Sequence, residues 1–104
     1  MGKYCIIETA FDNKEELDKV VNELLNNKLV ASCQIVESDS RWNWKNVREG
    51  AKEYLVFMKT KKALAREIFE TIKKNHSYEC FEFAVFELDS CSEDYLNWIE
   101  EETK

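Results

Sequence analysis

Short apolar runs alternate along the chain with segments in which apolar residues recur at helical spacing. Residues 4–9 (YCIIET) form an apolar run that predicts a buried strand. In residues 17–25, leucine and valine recur at the i, i+3, i+4, i+7 and i+8 positions of one helical face. Asp12 and Glu15 give a capping-box pattern just before this face. The chain is therefore predicted to begin with a strand and an amphipathic helix.

The middle of the chain predicts a long hairpin and a second helix. Residues 29–44 begin as an apolar strand and continue into a polar extension, and residues 53–60 (EYLVFMKT) form the next strand. Gly50 lies between the two strands, so we expect the turn there. Thr60 is placed to cap the second helix. The apolar residues of that helix share one face: Leu64, Ala65, Ile68, Phe69 and Ile72.

The last part of the chain completes a known pattern of elements. Residues 81–88 (FEFAVFEL) predict a fourth strand, and Ser90 with Glu93 caps a short terminal helix. The order β-α-β-β-α-β predicts an α+β, ferredoxin-like fold with a long second hairpin and an extra C-terminal helix, in one domain over residues 1–104. Right-handed crossovers give an antiparallel sheet with strand order 4-1-3-2 and both long helices on one face.

The predicted sheet is apolar on both faces. In the third strand Tyr54 and Val56 point one way, while Leu55 and Phe57 point the other way. The two long helices cover one face only, so something else must cover the second. An oligomer would cover it, because a monomer rarely exposes so large an apolar surface. The alternative is that the terminal helix folds over this face.

The composition argues against several classes of protein. The chain has 21 acidic and 15 basic residues and a net charge of −6, which argues against a nucleic-acid or anionic-membrane binder. No apolar run reaches the roughly 20 residues of a membrane span. Two glycines leave no Gly-rich phosphate loop.

The cysteines and the N-terminus indicate the compartment. Four cysteines without a C-x-x-C pair predict free thiols, which are typical of a reducing compartment. The N-terminus resembles no signal peptide, so we expect a cytoplasmic protein.

Six short motifs follow one another along the chain: TAFD at 9–12, LVASC at 29–33, SRWNWK at 40–45, EYLVFMKT at 53–60, HSYECFE at 76–82 and YLNW at 95–98. In this order and at this spacing they resemble the CutA divalent-cation tolerance family. The resemblance covers nearly the whole chain. It implies a ferredoxin-like subunit of a tight homotrimer that binds divalent cations such as copper, takes part in the response to metal ions, and has no established enzymatic reaction.

The chain departs from the family pattern where a copper site has been proposed. The resemblance aligns the family's cysteine before the threonine with Glu8, and its histidine pair with Asn75 and His76. The two prolines of the family's loop are Ser77 and Phe81 here. Only His76 keeps the identity of a family ligand at these three positions.

A different ligand set follows from the predicted topology. The first strand ends where the fourth begins, and the two strands are neighbours, so we expect Glu8 and His76 to lie close, with Glu79 just beyond. One imidazole with carboxylates makes an N/O site for Cu(II) or another divalent cation, and weak binding is expected. The alternative for His76, the only histidine, is a loop residue that bonds to a carboxylate or a backbone carbonyl.

Two further hypotheses concern other classes of function. A PII-like signalling module shares the ferredoxin-like trimer and binds a small effector in the cleft between subunits. Stacking on a ligand is one interpretation of Trp42 and Trp44, which lie two residues apart on a strand. Packing against a neighbouring subunit is the other interpretation of these tryptophans. An enzyme finds little support, since no nucleophile, histidine and acid form a recognisable set and no anion-binding loop follows the first strand. We therefore expect no catalytic activity.

Overall fold

The elements follow the predicted order. The computed structural model describes residues 2–104 and contains β1 (Tyr4–Phe11), α1 (Lys14–Asn26), β2 (Ser32–Trp44), β3 (Val47–Lys61), α2 (Ala65–Lys73), β4 (Phe83–Glu87) and α3 (Glu93–Glu102). The strands form one antiparallel sheet in the order β2-β3-β1-β4, which is the predicted order counted from the other edge. The α+β, ferredoxin-like fold is confirmed. No helix among the residues described is long and apolar enough to cross a membrane.

The hairpin between β2 and β3 turns earlier than predicted. Lys45 and Asn46 form a two-residue turn with φ angles of 51° and 68°. Two positive φ angles are typical of the type I′ turn, whose twist matches that of the strands. The prediction of a turn at Gly50 was wrong, because Gly50 lies inside β3 opposite Arg41. The two strands therefore remain paired along 13 residue positions.

The first helix begins one residue later than predicted. Asn13 is the N-cap, and its side-chain oxygen accepts a hydrogen bond of 3.0 Å from the backbone N–H of Glu16. The predicted capping box of Asp12 and Glu15 was wrong, since β1 extends to Phe11 and leaves only two residues before α1. An asparagine oxygen satisfies the same orphan N–H group as an aspartate oxygen.

The caps of the other two helices also differ from the predictions. Thr60 does not cap α2, because it belongs to β3 and its hydroxyl donates a 2.6 Å hydrogen bond to the carbonyl of Leu29. A short 3₁₀ turn over residues 62–64 connects β3 to α2 instead. At α3 the N-cap position is held by Ser92 rather than Ser90. The hydroxyl of Thr60 therefore bonds within the core instead of capping α2, and the N-cap of α3 lies two residues after the predicted one.

The core lies between the sheet and the two long helices. Alternate residues of β1, among them Cys5, Ile7 and Phe11, point toward α1 and α2 and are buried. Burying a large apolar side chain stabilises a fold by about 1.5–3 kcal/mol, so this layer holds the helices on the sheet. The buried cluster comprises Cys5, Ile7, Phe11, Leu17, Val20, Leu24, Leu29, Val30, Val56, Met58, Ile68 and Ile72.

The opposite face of the sheet keeps exposed apolar side chains. Val36 on β2 and Phe86 on β4 are 52% and 54% exposed. Helix α3 lies at the end of the sheet where β1 begins, where Glu100 accepts a 2.6 Å hydrogen bond from the Tyr4 hydroxyl and pairs with Lys61. The alternative in which α3 alone covers this face was therefore wrong. We call this surface, formed by Ile6, Val36, Leu55, Phe57, Ala84 and Phe86, the open sheet face.

All four cysteines are free thiols, in two environments. Burial raises the pKa of Cys5 to about 11 and that of Cys33 to about 12, whereas Cys80 is exposed. The thiolate is the reactive form, so we expect an aromatic disulfide reagent to label Cys80 first, Cys33 slowly and the buried Cys5 only after unfolding. Cys80→Ser should remove the fast phase while leaving a total of three thiols titratable in denaturant. A fast phase that survives this substitution would contradict the assignment.

Candidate functional site

His76 is held tightly by aromatic rings. Its imidazole stacks on Phe11 with ring centroids 4.3 Å apart and on Phe81 at 4.9 Å, while the Tyr78 ring lies 4.8 Å away. Phe11 belongs to the core, so the loop after α2 is anchored to β1 through this stack. The ring position of His76 is therefore fixed by packing.

Both ring nitrogens of His76 have backbone partners. The Nε2–H donates to the carbonyl of Ala10 at 2.7 Å, and Nδ1 accepts from the N–H of Tyr78 at 3.1 Å. These roles define the neutral tautomer with the proton on Nε2, which leaves no free lone pair. Metal coordination by His76 requires one of these two bonds to break. The arrangement corresponds to the loop interpretation of this histidine, in which a backbone carbonyl is its partner.

The two predicted carboxylate ligands lie in different surroundings from His76. Glu8 is opposite Phe57 and Ala84, so it lies on the open sheet face. Glu79 is exposed and lines a cleft beside the hairpin. Within residues 2–104, His76 makes no hydrogen bond to either carboxylate, and no three His, Cys, Asp or Glu side chains are grouped closely enough to hold a metal ion. The metal site at Glu8, His76 and Glu79 stays a prediction.

The cleft lies between the β2–β3 hairpin and the loop that leads to β4. It is open and has a volume of about 620 Å³. Four glutamates line it, and its one basic residue, Arg41, pairs with Asp39 at 2.9 Å. The lining residues are Ala10, Ser40, Arg41, Trp42, Trp44, Glu49, Glu53, Tyr78, Glu79, Cys80 and Glu82.

Glu53 and Tyr78 form the buried base of this cleft. Glu53 is only 7% exposed, and its carboxylate accepts a 2.9 Å hydrogen bond from the Tyr78 hydroxyl. Burial, followed by this bond to the Glu53 carboxylate, raises the pKa of Tyr78 well above its usual range. The phenol therefore remains a donor near neutral pH and holds the loop against β3.

Glu82 has the most perturbed carboxyl group of the cleft. Desolvation of the carboxyl group, its hydrogen bond with Glu8 and the charges of Glu8 and Glu53 together raise the pKa of Glu82 to about 7. The backbone at Glu82 is fixed by a 2.6 Å hydrogen bond from the Thr9 hydroxyl to its carbonyl. Near neutral pH, the carboxyl group of Glu82 is therefore about half protonated.

The site predictions missed three residues that the structure brings to the cleft: Glu53, Tyr78 and Glu82. Strand parity offered a signal for Glu82, because it lies two residues before Ala84 and faces the same side of the sheet as Glu8. Glu53 likewise precedes Leu55 by two residues in an otherwise apolar strand. No comparable pattern indicates that the Tyr78 hydroxyl reaches Glu53, 25 residues away along the chain.

Comparisons with known proteins agree with this architecture. A family model described as CutA1 divalent ion tolerance protein matches residues 5–102. The chain is 35% identical over 99 residues to the divalent-cation tolerance protein CutA of Pyrococcus horikoshii. The aligned residues cover 95% of this chain and 97% of that protein. It is 30% identical over 99 residues to a probable divalent-cation tolerance protein cutA homolog of Encephalitozoon cuniculi, covering 95% of this chain and 87% of that protein.

Solved structures of such proteins superpose closely on this fold. The crystal structure of CutA1 from Pyrococcus horikoshii has a TM-score of 0.89 at 34% identity and covers 96% of this chain and 98% of its own. The periplasmic divalent cation tolerance protein CutA from Archaeoglobus fulgidus has a TM-score of 0.93 at 25% identity and covers 97% and 99%. The fold and the relatives define a class, the ferredoxin-like proteins of the divalent-cation tolerance type. The chain belongs to the CutA1 divalent ion tolerance protein family.

The raised pKa of Glu82 predicts a pH-dependent stability. Between 4.5, the ordinary value, and about 7, the folded chain binds more protons at Glu82 than the unfolded chain, so stability falls as pH rises through this window. Glutamine mimics the protonated carboxyl group. We expect Glu82→Gln to increase the free energy of unfolding above neutral pH by about 1 kcal/mol, a value reduced for solvent screening.

The measurement is urea unfolding of both proteins at one subunit concentration across the pH range. Below pH 4.5 the two proteins should be equally stable, because Glu82 is then protonated in both states. Glu101→Gln, an exposed change on α3, is the matched control and should leave the pH profile unchanged. A stabilisation by Glu82→Gln that is the same at every pH would contradict the assignment.

Proposed function

We propose that this protein is a homotrimeric, non-catalytic divalent-cation tolerance protein that binds divalent metal, copper among the candidates, weakly. The observation that carries the proposal is the acidic cleft, in which four glutamates, among them the proposed ligand Glu79, face a single arginine that is already paired. Membership of the CutA1 divalent ion tolerance family supports the link to metal ions. The family description names ion tolerance rather than a reaction, which supports a non-catalytic role.

The trimer is proposed to bury the open sheet face. Phe86 and Val36 are more than half exposed although both belong to regular strands. Covering such side chains stabilises an assembly by about 25 cal/mol for each Å² of apolar area removed from water. Both edges of the sheet, β2 and β4, lack a further strand within residues 2–104, so neighbouring copies have room to approach them.

Sedimentation tests this assembly directly. At micromolar concentration we expect a single species near three times 12.4 kDa. Phe86→Glu should shift the population toward smaller species, because it places a charge in the proposed interface. Leu25→Glu is the matched control, since Leu25 is an exposed apolar residue of α1 on the helical side. A wild-type monomer, or equal effects of the two variants, would overturn the proposed interface.

Weak metal binding follows from the contacts of the proposed ligands. We place the metal at Glu8, His76 and Glu79, which are not grouped closely enough within residues 2–104 to hold an ion and must move together to bind one. Coordination by His76 must break its bond to Ala10 or to Tyr78, which costs about 1 kcal/mol and lowers the affinity about fivefold. The carboxylates add negative charge but no soft ligand. At such an N/O site Cu(II) should bind more tightly than Zn(II), because divalent ions generally follow this order of affinity. This order comes from the ions and states no biological preference.

Titration with Cu(II) tests the ligands one by one. We expect His76→Phe to abolish measurable binding, because phenylalanine preserves the stack between Phe11 and Phe81 but has no nitrogen. Glu8→Gln should weaken binding, and the wild-type affinity should fall at acid pH as protons compete for the ligands. Glu101→Gln is the control for a change of surface charge. Equal binding by wild type and folded His76→Phe would remove His76 from the site.

The PII-like alternative makes a different prediction for the same titration. A phosphate-bearing effector needs a basic lining, and the cleft offers Arg41 alone, already paired with Asp39. We therefore expect no heat when a nucleotide replaces Cu(II). Saturable nucleotide binding would favour the signalling module over the tolerance protein.

The proposed location is the cytoplasm. Four free thiols, one of them exposed at Cys80, are typical of a reducing compartment. Among similar proteins, one from Arabidopsis thaliana is described as chloroplastic and one from Archaeoglobus fulgidus as periplasmic. Cell fractionation with an antibody to the native chain decides between these compartments.

A further inference from the structure

The cleft contains aromatic rings that a metal ion would not use. Trp42 and Trp44 are two residues apart on β2 and therefore point to the same side of the hairpin, where both line the cleft together with Tyr78. Glu49 lies directly opposite Trp42 in the strand register and lines it too. A carboxylate and an indole are thus neighbours on one wall.

The ring of Trp44 already contacts a positively charged side chain of the same protein. The Lys45 ammonium lies 5.5 Å from the centroid of the Trp44 ring, within the distance at which the negative face of an indole attracts a positive charge. Lys45 belongs to the two-residue turn, so this ammonium is tethered to the hairpin tip. This contact within the chain places a positive charge against the ring of Trp44, which also lines the cleft.

We propose that the cleft binds an alkylammonium group carried on a small organic molecule. Aromatic faces combined with carboxylates recognise such a cation, because the rings attract its charge and also pack against its alkyl groups. Two indoles offer no oxygen ligand to a hard metal ion, which is bound through oxygen atoms. The volume of about 620 Å³ lies within the range of small-molecule sites, which is about 300–1,000 Å³.

The alkylammonium site is distinct from the proposed metal site. It depends on Trp42, Trp44 and Glu49, and none of these is a proposed metal ligand. Glu79 lines the cleft and also belongs to the proposed metal site, so it is not used to test either one. The charge balance favours a cation here as well, because the positive charge of Arg41 is offset by Asp39.

Choline and its uncharged isostere, in which carbon replaces the quaternary nitrogen, form the matched pair of probes. We expect titration calorimetry and tryptophan fluorescence to show saturable binding of choline to the assembled wild-type protein at neutral pH. The isostere should bind about tenfold more weakly, because it keeps the shape and loses the attraction to the rings and carboxylates. Added salt should weaken the binding of choline more than that of the isostere.

Two substitutions test the position of the site. Glu49→Gln removes a charge without removing volume, and Glu49 is exposed, so the change should not disturb the fold. Trp42→Leu removes one ring and keeps an apolar side chain. We expect each to weaken choline binding by about fivefold to tenfold. Tyr95→Leu is the control, because Tyr95 is an exposed aromatic residue of α3 that does not line the cleft.

The outcomes separate this proposal from the metal site. If the isostere binds as well as choline, or if Glu49→Gln leaves choline binding unchanged, the alkylammonium site is overturned. Glu49→Gln keeps that test valid if Trp42→Leu fails to assemble. His76→Phe should bind choline like the wild type, and Glu49→Gln should bind Cu(II) like the wild type. Cu(II) binding that survives His76→Phe, while choline binding is also retained, would overturn the metal site alone.

Discussion

The pairing of β1 with both of its neighbours is the constraint on which the remaining structure depends. Because β1 pairs with β3 and β4 in a fixed register, each of its side chains is assigned to one face of the sheet. Cys5, Ile7 and Phe11 are buried beneath the helices, while Ile6 and Glu8 point to the open sheet face. A slip of one residue would exchange these two sets. It would expose the core and bury the carboxylate of Glu8.

The loop before β4 connects this sheet to the cleft. Phe11 is the last residue of β1 and stacks on His76, whose ring bonds to the backbone of Ala10 and Tyr78. Tyr78 in turn donates to Glu53 at the buried base of the cleft. The geometry of the cleft is therefore set by packing around a neutral imidazole. This histidine supports the loop whether or not a metal ion is ever bound to it.

The fold could be predicted from the sequence because its signals are periodic and cover many residues. Alternating and helical patterns gave the element order, and the handedness of crossovers then gave the strand order. The helix caps and the hairpin turn were harder to predict because they depend on single residues. Asn13 and Asp12 are chemically equivalent as caps, and Lys45 and Asn46 adopt a left-handed conformation that glycine adopts more readily. The cleft depends on contacts such as Tyr78 to Glu53, which no local pattern encodes.

The long edge of β2 has a consequence for how the protein reaches its assembled state. Thirteen residues of this strand pair with β3 on one side and with no strand of the chain on the other, within residues 2–104. An edge of this length presents unpaired N–H and C=O groups to any strand it meets. A newly synthesised subunit therefore faces two competing encounters, one with an ordered partner and one with an aggregate. The yield of native protein on refolding is then a matter of concentration and time as much as of stability.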